Sequence, residues 1–217
     1  GTSTITFDSV AGTQAIGGVI NGQADNMGTI AVTNTAGKVS FAAAIGGIND
    51  IKNITIGTTA DDSSANFAAA VNANTITVQG GEAAVEDSLA EFDAAVTGAI
   101  VLNPGTLGDA TADFMDVNAI IALTSTITTT ATDSELSFVR VYDAGGGAAA
   151  VQTFSGAIGT TANRIGTLQV GGVETDGGSG NFNADVAVTN LNIAAGVESS
   201  ELSLGTFAGN VNATTVT

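Results

Sequence analysis

The groups in this chain that could do chemistry are its carboxylates: 21 acidic residues stand against four cations, Lys38, Lys52, Arg140 and Arg164. Several arrive in pairs. Asp61-Asp62, Glu86-Asp87 and Glu174-Thr-Asp176 offer hard oxygen donors next to glycine-, serine- and alanine-rich breaks, the donor type that calcium takes. Weak calcium sites at Asp61, Asp62, Glu86, Asp87, Glu174 and Asp176 are therefore an expectation, with calcium the one cofactor considered. The Gly-Gly-x-Gly-x-Asp nonapeptide of calcium-binding β-rolls is absent, and Gly177-Gly-Ser-Gly-Asn-Phe182 resembles it only superficially. The competing reading is structural: solvated acidic turns that keep β edges from aggregating.

Catalysis has little to work with. The chain holds no His and no Cys, which removes the commonest general base and the strongest nucleophile. Lys38 and Lys52 could pair with a serine, but neither lies in a recognisable motif. The expectation is a non-enzyme, with a polysaccharide-active β-helix enzyme as the remote alternative. A net charge of −17 repels phosphate backbones and anionic bilayers, so nucleic acid is not an expected partner. No run of 18 apolar residues occurs, so membrane insertion is not expected either. Asn53-Ile-Thr55 and Asn212-Ala-Thr214 match the glycosylation acceptor pattern, which arises by chance in a chain this rich in Asn and Thr. Asn72 and Asn212 hold equivalent places in their motifs, which suits stacked Asn in a solenoid turn.

The elements that must position these groups repeat. Phe67-Ala-Ala-Ala-Val71 and Phe182-Asn-Ala-Asp-Val186 lie 115 residues apart, and at the same offset Phe92 and Val96 land on Phe207 and Val211. Phe41-Ala-Ala-Ala-Ile45 matches Phe154-Ser-Gly-Ala-Ile158 at an offset of 113, and Phe7 aligns loosely with Phe114. Two diverged copies are present, 1–105 and 106–217. Within each, Phe-x-x-x-(Val/Ile) recurs about every 25 residues, at Phe41, Phe67 and Phe92, then at Phe154, Phe182 and Phe207. Alternating runs such as Thr75-Ile-Thr-Val78 follow, which is the signal of half-buried strands. A unit this short cannot bury its own apolar face, but stacked units can. The expected fold is an all-β β-solenoid of about 25-residue coils, on the order of eight coils and about 40 Å tall, with the six Phe on one interior ladder. Two tandem immunoglobulin-like sandwiches are the alternative. In Glu82–Val96 the spacing of Val85, Leu89, Phe92 and Val96 is helical, but its partner segment carries Gly205 and Gly209. Strand and loop are expected there, with a helical turn around Ala83–Ala90.

Through these repeats, including Val211-Asn-Ala-Thr-Thr-Val216, the chain resembles the Gly/Ala/Thr-rich β-strand repeats of large bacterial surface proteins, such as autotransporter-passenger adhesins of alphaproteobacteria. The resemblance implies an exported, extracellular or cell-surface, elongated structure used for adhesion or as a coat, with host or environmental glycans as possible ligands. Thr4, Ile5, Thr6 and Phe7 at one terminus and Thr214, Thr215, Val216 and Thr217 at the other are strand-like, with no polar capping segment beside them. These eight residues are the expected assembly surface. The functional expectation is a filament or surface-layer subunit that polymerises head to tail with itself by strand augmentation; the alternative is a stalk segment of a long adhesin.

Overall fold

A computed structural model describes residues 3–8, 10, 12–83, 87–116, 121–132, 135–143, 151–172, 177–196 and 202–217. Among them every regular element is a strand. The first copy contributes β1 (Thr4–Phe7), β2 (Gln14–Ile16), β3 (Met27–Val32), β4 (Val39–Phe41), β5 (Ile51–Ile56), β6 (Ser64–Phe67), β7 (Val71–Gln79), β8 (Ser88–Phe92) and β9 (Val96–Asn103). The second contributes β10 (Ala110–Asp116), β11 (Ala122–Leu123), β12 (Ile127–Thr129), β13 (Ser137–Asp143) and β14 (Val151–Phe154). It continues with β15 (Ile165–Val170), β16 (Ser179–Phe182), β17 (Val186–Ile193), β18 (Leu204–Phe207) and β19 (Val211–Val216). One sheet runs β1-β3-β5-β7-β9-β11-β14-β16-β18, with β12 also on β9, and the other β2-β4-β6-β8-β10-β13-β15-β17-β19. Every pairing is parallel, typically about one 25-residue coil apart, as Val71 with Val96.

This is the β-solenoid that the short period predicts. The ladders pass through the boundary between the copies without a break, since β10 pairs with β8 below and β13 above. In the segment of helical spacing, Ser88–Phe92 is strand β8. Period-two alternation wins there because Phe92 must fall on Phe67 of the rung below.

The Phe arrangement corrects the single-ladder expectation. Phe41, Phe67, Phe92 and Phe114 stand in register, but the same column continues as Val141, Val170 and Ile193. Phe154, Phe182 and Phe207 occupy a different column, which the first copy fills with Ile20, Ile45, Val71 and Val96 and which continues through Leu123. The second copy is thus turned about the stacking axis relative to the first. From Phe41 to Phe207 each rung keeps one Phe at one of these two neighbouring corners, so the interior holds a constant load of ring volume.

The rings still form one continuous file. Within each column neighbours stack at 4.8–5.4 Å, the spacing that parallel strands impose. Where the file changes column, Phe114 meets Phe154 edge-on at 5.0 Å and 87°. Phe7 meets Phe41 in the same way, at 5.2 Å and 86°.

Two residues before five of the rings, on the same inward face, the chain makes room, whereas Val39 precedes Phe41 and Gln152 precedes Phe154. Ala65, Ala90 and Ala112 precede Phe67, Phe92 and Phe114; once that column turns to Val141, Val170 and Ile193, the same positions fill out to Val139, Leu168 and Leu191. In the second column Gly180 and Gly205 take the small position, and a Cβ on Gly180 would lie 2.8 Å from the Phe182 ring. The corner after each Phe motif is also shared. Gly46 and Gly159 adopt φ of 71° and 68°, and a Cβ on either would sit about 2 Å from a carbonyl oxygen one rung away.

Phe92→Ala, at a fully buried position, is expected to cost about 3–5 kcal/mol. Gly180→Leu overpacks the same file and is expected to cost at least about 1–3 kcal/mol. Urea unfolding monitored by far-UV circular dichroism measures both.

Candidate functional site

Two features stand out from the repeating wall: a charged ladder on its outer face and the two open ends. The ladder follows from alternation, since the residue before each inward Phe or Val must point outward. On one sheet these residues are Ser40, Asn66, Glu91, Asp113, Arg140, Gln169 and Asn192, each beside the next. Arg140 Nε donates to Asp113 Oδ1 at 2.6 Å and its Nη2 to Oδ2, a bidentate fork. Tyr142 Oη donates to the same carboxylate at 3.2 Å, and Lys38 pairs with Glu91. Asn66 Nδ2 donates to Asp93 Oδ2 at 2.9 Å. Glu91 and Asp113 would repel across adjacent strands; Lys38 and Arg140 offset that repulsion from either side.

Neighbouring side chains leave Asp113 only 1% exposed. Burial pushes its carboxyl pKa up, with the Arg140 guanidinium pulling against it. Burial and then the Asp113 charge raise the Tyr142 phenol well above its ordinary range. Burial likewise raises Asp93, opposed by Asn66 and Lys38, and raises Asp109, with help from Asp87. A shallow groove lies over the cluster, lined by Leu89, Glu91, Asp113, Arg140, Tyr142 and Gln169. The fork, the phenol hydrogen bond and the Lys38 pair use the charged groups on one another, so the arrangement braces the wall where one copy meets the next. Sequence reasoning missed it. The available signal was an Asp and an Arg one coil apart on outward positions.

The calcium candidates are only partly within the described residues: Glu86, Glu174 and Asp176 lie outside them. Asp61 closes a turn in which its amide donates to Thr58 Oγ1 at 3.0 Å. Asp87 Oδ1 accepts from the Asp109 amide at 2.8 Å. Among the described residues no three carboxylates are placed to hold a metal ion together. Asn72 and Asn212 do not stack on asparagines, lying beside Thr97 and Ala187; Asn72 Nδ2 instead donates to the Gly46 carbonyl at 3.2 Å.

The expected assembly residues fall at opposite ends of the column. At the first end β1 and β2 are the outermost strands, and at the second end β18 and β19. Ile5 is 48% exposed, although its column continues as the buried Ile30 and Ile54. Thr4 and Thr6 are exposed, while Phe7 is half-buried against Phe41. At the far end Val211 and Val216 are 44% and 65% exposed, capping columns that begin inside as Val186 and Leu191. Thr214 and Thr215 are exposed on β19, and Thr217 still belongs to the ladder, donating to Leu191 O at 3.0 Å and accepting from Ile193 N at 2.9 Å. The sequence did not single out β18, the other edge strand at this end, whose Leu204 is 59% exposed.

Each edge also has free backbone. Thr29 N donates to Ser3 O and Thr33 N to Phe7 O, so Ser3, Ile5 and Phe7 face β3, and alternation turns the amides and carbonyls of Thr4 and Thr6 to the open side. Leu204 N donates to Gly178 O and Ala208 N to Phe182 O, which leaves Gly205 and Phe207 facing outward from β18. No protein-family model, no curated protein and no solved structure matches the chain.

Arg140→Met at pH 7 would strand a buried carboxylate and is expected to cost about 3–5 kcal/mol; adding Asp113→Leu should recover most of it. The raised carboxyls give a second expectation. A folded pKa above the unfolded value means that the folded state takes up protons first, so stability should rise as the pH falls from neutrality toward about 4. Urea midpoints at pH 7 and pH 4.5 measure this, and a lower midpoint at pH 4.5 would contradict it.

Proposed function

We propose that this chain is a non-catalytic structural protein of the cell exterior, which polymerises head to tail through its open β ends into a filament or surface layer. The observation that carries the reading is that both ends stop at unpaired parallel strands with half-exposed apolar side chains over a continuous core. Such edges are templates for another strand. The two ends are opposite faces of one ladder, so their contact is heterologous, and each copy added along the column axis presents the same end again. Lys38 and Arg140 are engaged with Glu91 and Asp113, and the chain has no His and no Cys, which supports a role without turnover.

A second reading is a stalk segment of a long surface adhesin. The junction between the two copies favours it, because it shows how one copy follows another along a single chain. On that reading the purified chain stays as short rods.

Electron microscopy of the purified chain separates the two. Filaments are expected, longer at 0.5 M than at 0.01 M salt, because each added subunit brings 17 further negative charges that salt screens. A variant lacking residues 1–7 should form none. Short rods under every condition would overturn the assembly reading in favour of the stalk.

A further inference from the structure

The junction inside the molecule specifies the junction between molecules. The second copy opens with Phe114, Leu123 and Ile127, nine and four residues apart. This rung sits on the last rung of the first copy: Phe114 on Phe92, Leu123 on Val96 and Ile127 on Ile100. The first copy opens in the same way, with Phe7, Ile16 and Ile20, again nine and four apart. The second copy ends as the first does, with Phe207 and Val211 in the places of Phe92 and Val96, four residues apart in each. The column therefore carries at its two ends the same two half-sites that are already joined in its middle.

We infer that a second copy of this chain docks on the β18–β19 end in the geometry of the internal junction, with Phe7 of the incoming molecule on Phe207 and Ile16 on Val211. Ile20 then falls near Val216 at the end of β19. The inference rests on the head-to-tail reading and adds its register and rotation. The incoming molecule does not align column on column. That arrangement would place Ile5 on Val211 and Gln14 on Val216, setting an amide side chain on an apolar one. Instead it turns, as the second copy turns on the first, so that Phe207, Val211 and Val216 meet Phe7, Ile16 and Ile20, while Ile5 falls on Gly205 and Leu204 beside Thr4.

The backbone agrees. In the internal junction Asp93 N donates to Phe67 O and Ser88 N to Asp109 O, so Phe92 turns its own amide and carbonyl toward β10. Ala110 N donates to Leu136 O, so Thr111 and Asp113 turn toward β8. The open edges have the same parity, with Phe207 and Gly205 outward on β18 and Thr6 and Thr4 outward on β1. Phe207 can therefore bond across to Thr6 and the residue after Phe7 without a change of backbone. The outward pair Glu91 and Asp113 is replaced at the ends by Thr206 and Thr6, which removes a like-charge contact from the intermolecular seam.

The absence of Cys makes the test clean. Thr6 and Thr206 are exposed and become directly paired neighbours, at a Cα separation of about 5 Å that a disulfide spans. Thr6→Cys with Thr206→Cys should give, under mild oxidation, a non-reducible-by-dilution ladder of dimers, trimers and higher species on denaturing gels. Thr6→Cys with Asn212→Cys marks the column-on-column stack and should give none. Retained far-UV circular dichroism confirms that each variant folds, and mixing the two single-Cys proteins, which should yield one covalent heterodimer band, repeats the test with one substitution per chain. If filaments form but the Asn212 pair links and the Thr206 pair does not, the register is wrong while head-to-tail assembly stands. If no variant and no parent chain associates, the assembly reading itself falls, and this inference with it.

Discussion

One aromatic ring per rung is the constraint from which most of the structure follows. Parallel strands repeat at about 4.8 Å, and phenylalanine rings carried in register stack at nearly the same distance, 5.2 Å for Phe41 on Phe67. From Phe41 to Phe207 each rung places one ring at one of the two neighbouring corners and an aliphatic side chain at the other. Around Phe92 the ring at one corner goes with alanine two residues earlier and an aliphatic side chain at the neighbouring corner, in Ala90, Phe92 and Val96, whereas Phe41 takes Val39 and Phe154 takes Gln152 at the earlier position. When the ring moves to the other corner at Phe154, the vacated column takes up Val141 and its alanine neighbours become Val139 and Leu168. Packing density is conserved while the sequence pattern rotates.

That rotation explains what could be read from the sequence and what could not. Strand content, the 25-residue coil and the two copies were legible because the Phe motif and its alternating partners recur along the chain. The split of the Phe into two columns was not, because it depends on the accumulated lengths of the turns. Coil lengths vary, mostly 22–28 residues but 31 from Leu123 to Phe154, and the turn is already in place at Phe114, which stands on Phe92 while its counterpart Phe7 stands beside Val32. The strand character of Thr4–Phe7 and of Thr214, Thr215 and Val216 was legible from their β-branched run. Strand β18 was not singled out, because its exposed Leu204 stands outside the Phe motif. The Arg140–Asp113 fork was hidden because it joins residues 27 apart, whose only common feature is an outward position on adjacent rungs.

The same wall divides its labour between faces. Inside, apolar columns supply cohesion that is indifferent to which copy comes next. Outside, the charged residues are spent locally: Lys38 on Glu91 and Arg140 on Asp113 offset repulsion where acidic side chains share a column. At the edges the corresponding outward positions, Thr6 and Thr206, are neutral.

Hydrogen exchange of the edge amides tests this account most directly. Thr4 and Thr6 on β1, and Gly205 and Phe207 on β18, should exchange as open strands in dilute protein and become as protected as the β8–β10 ladder when concentrated. Exchange at open-strand rates at every concentration would show that the ends do not pair, and would contradict it.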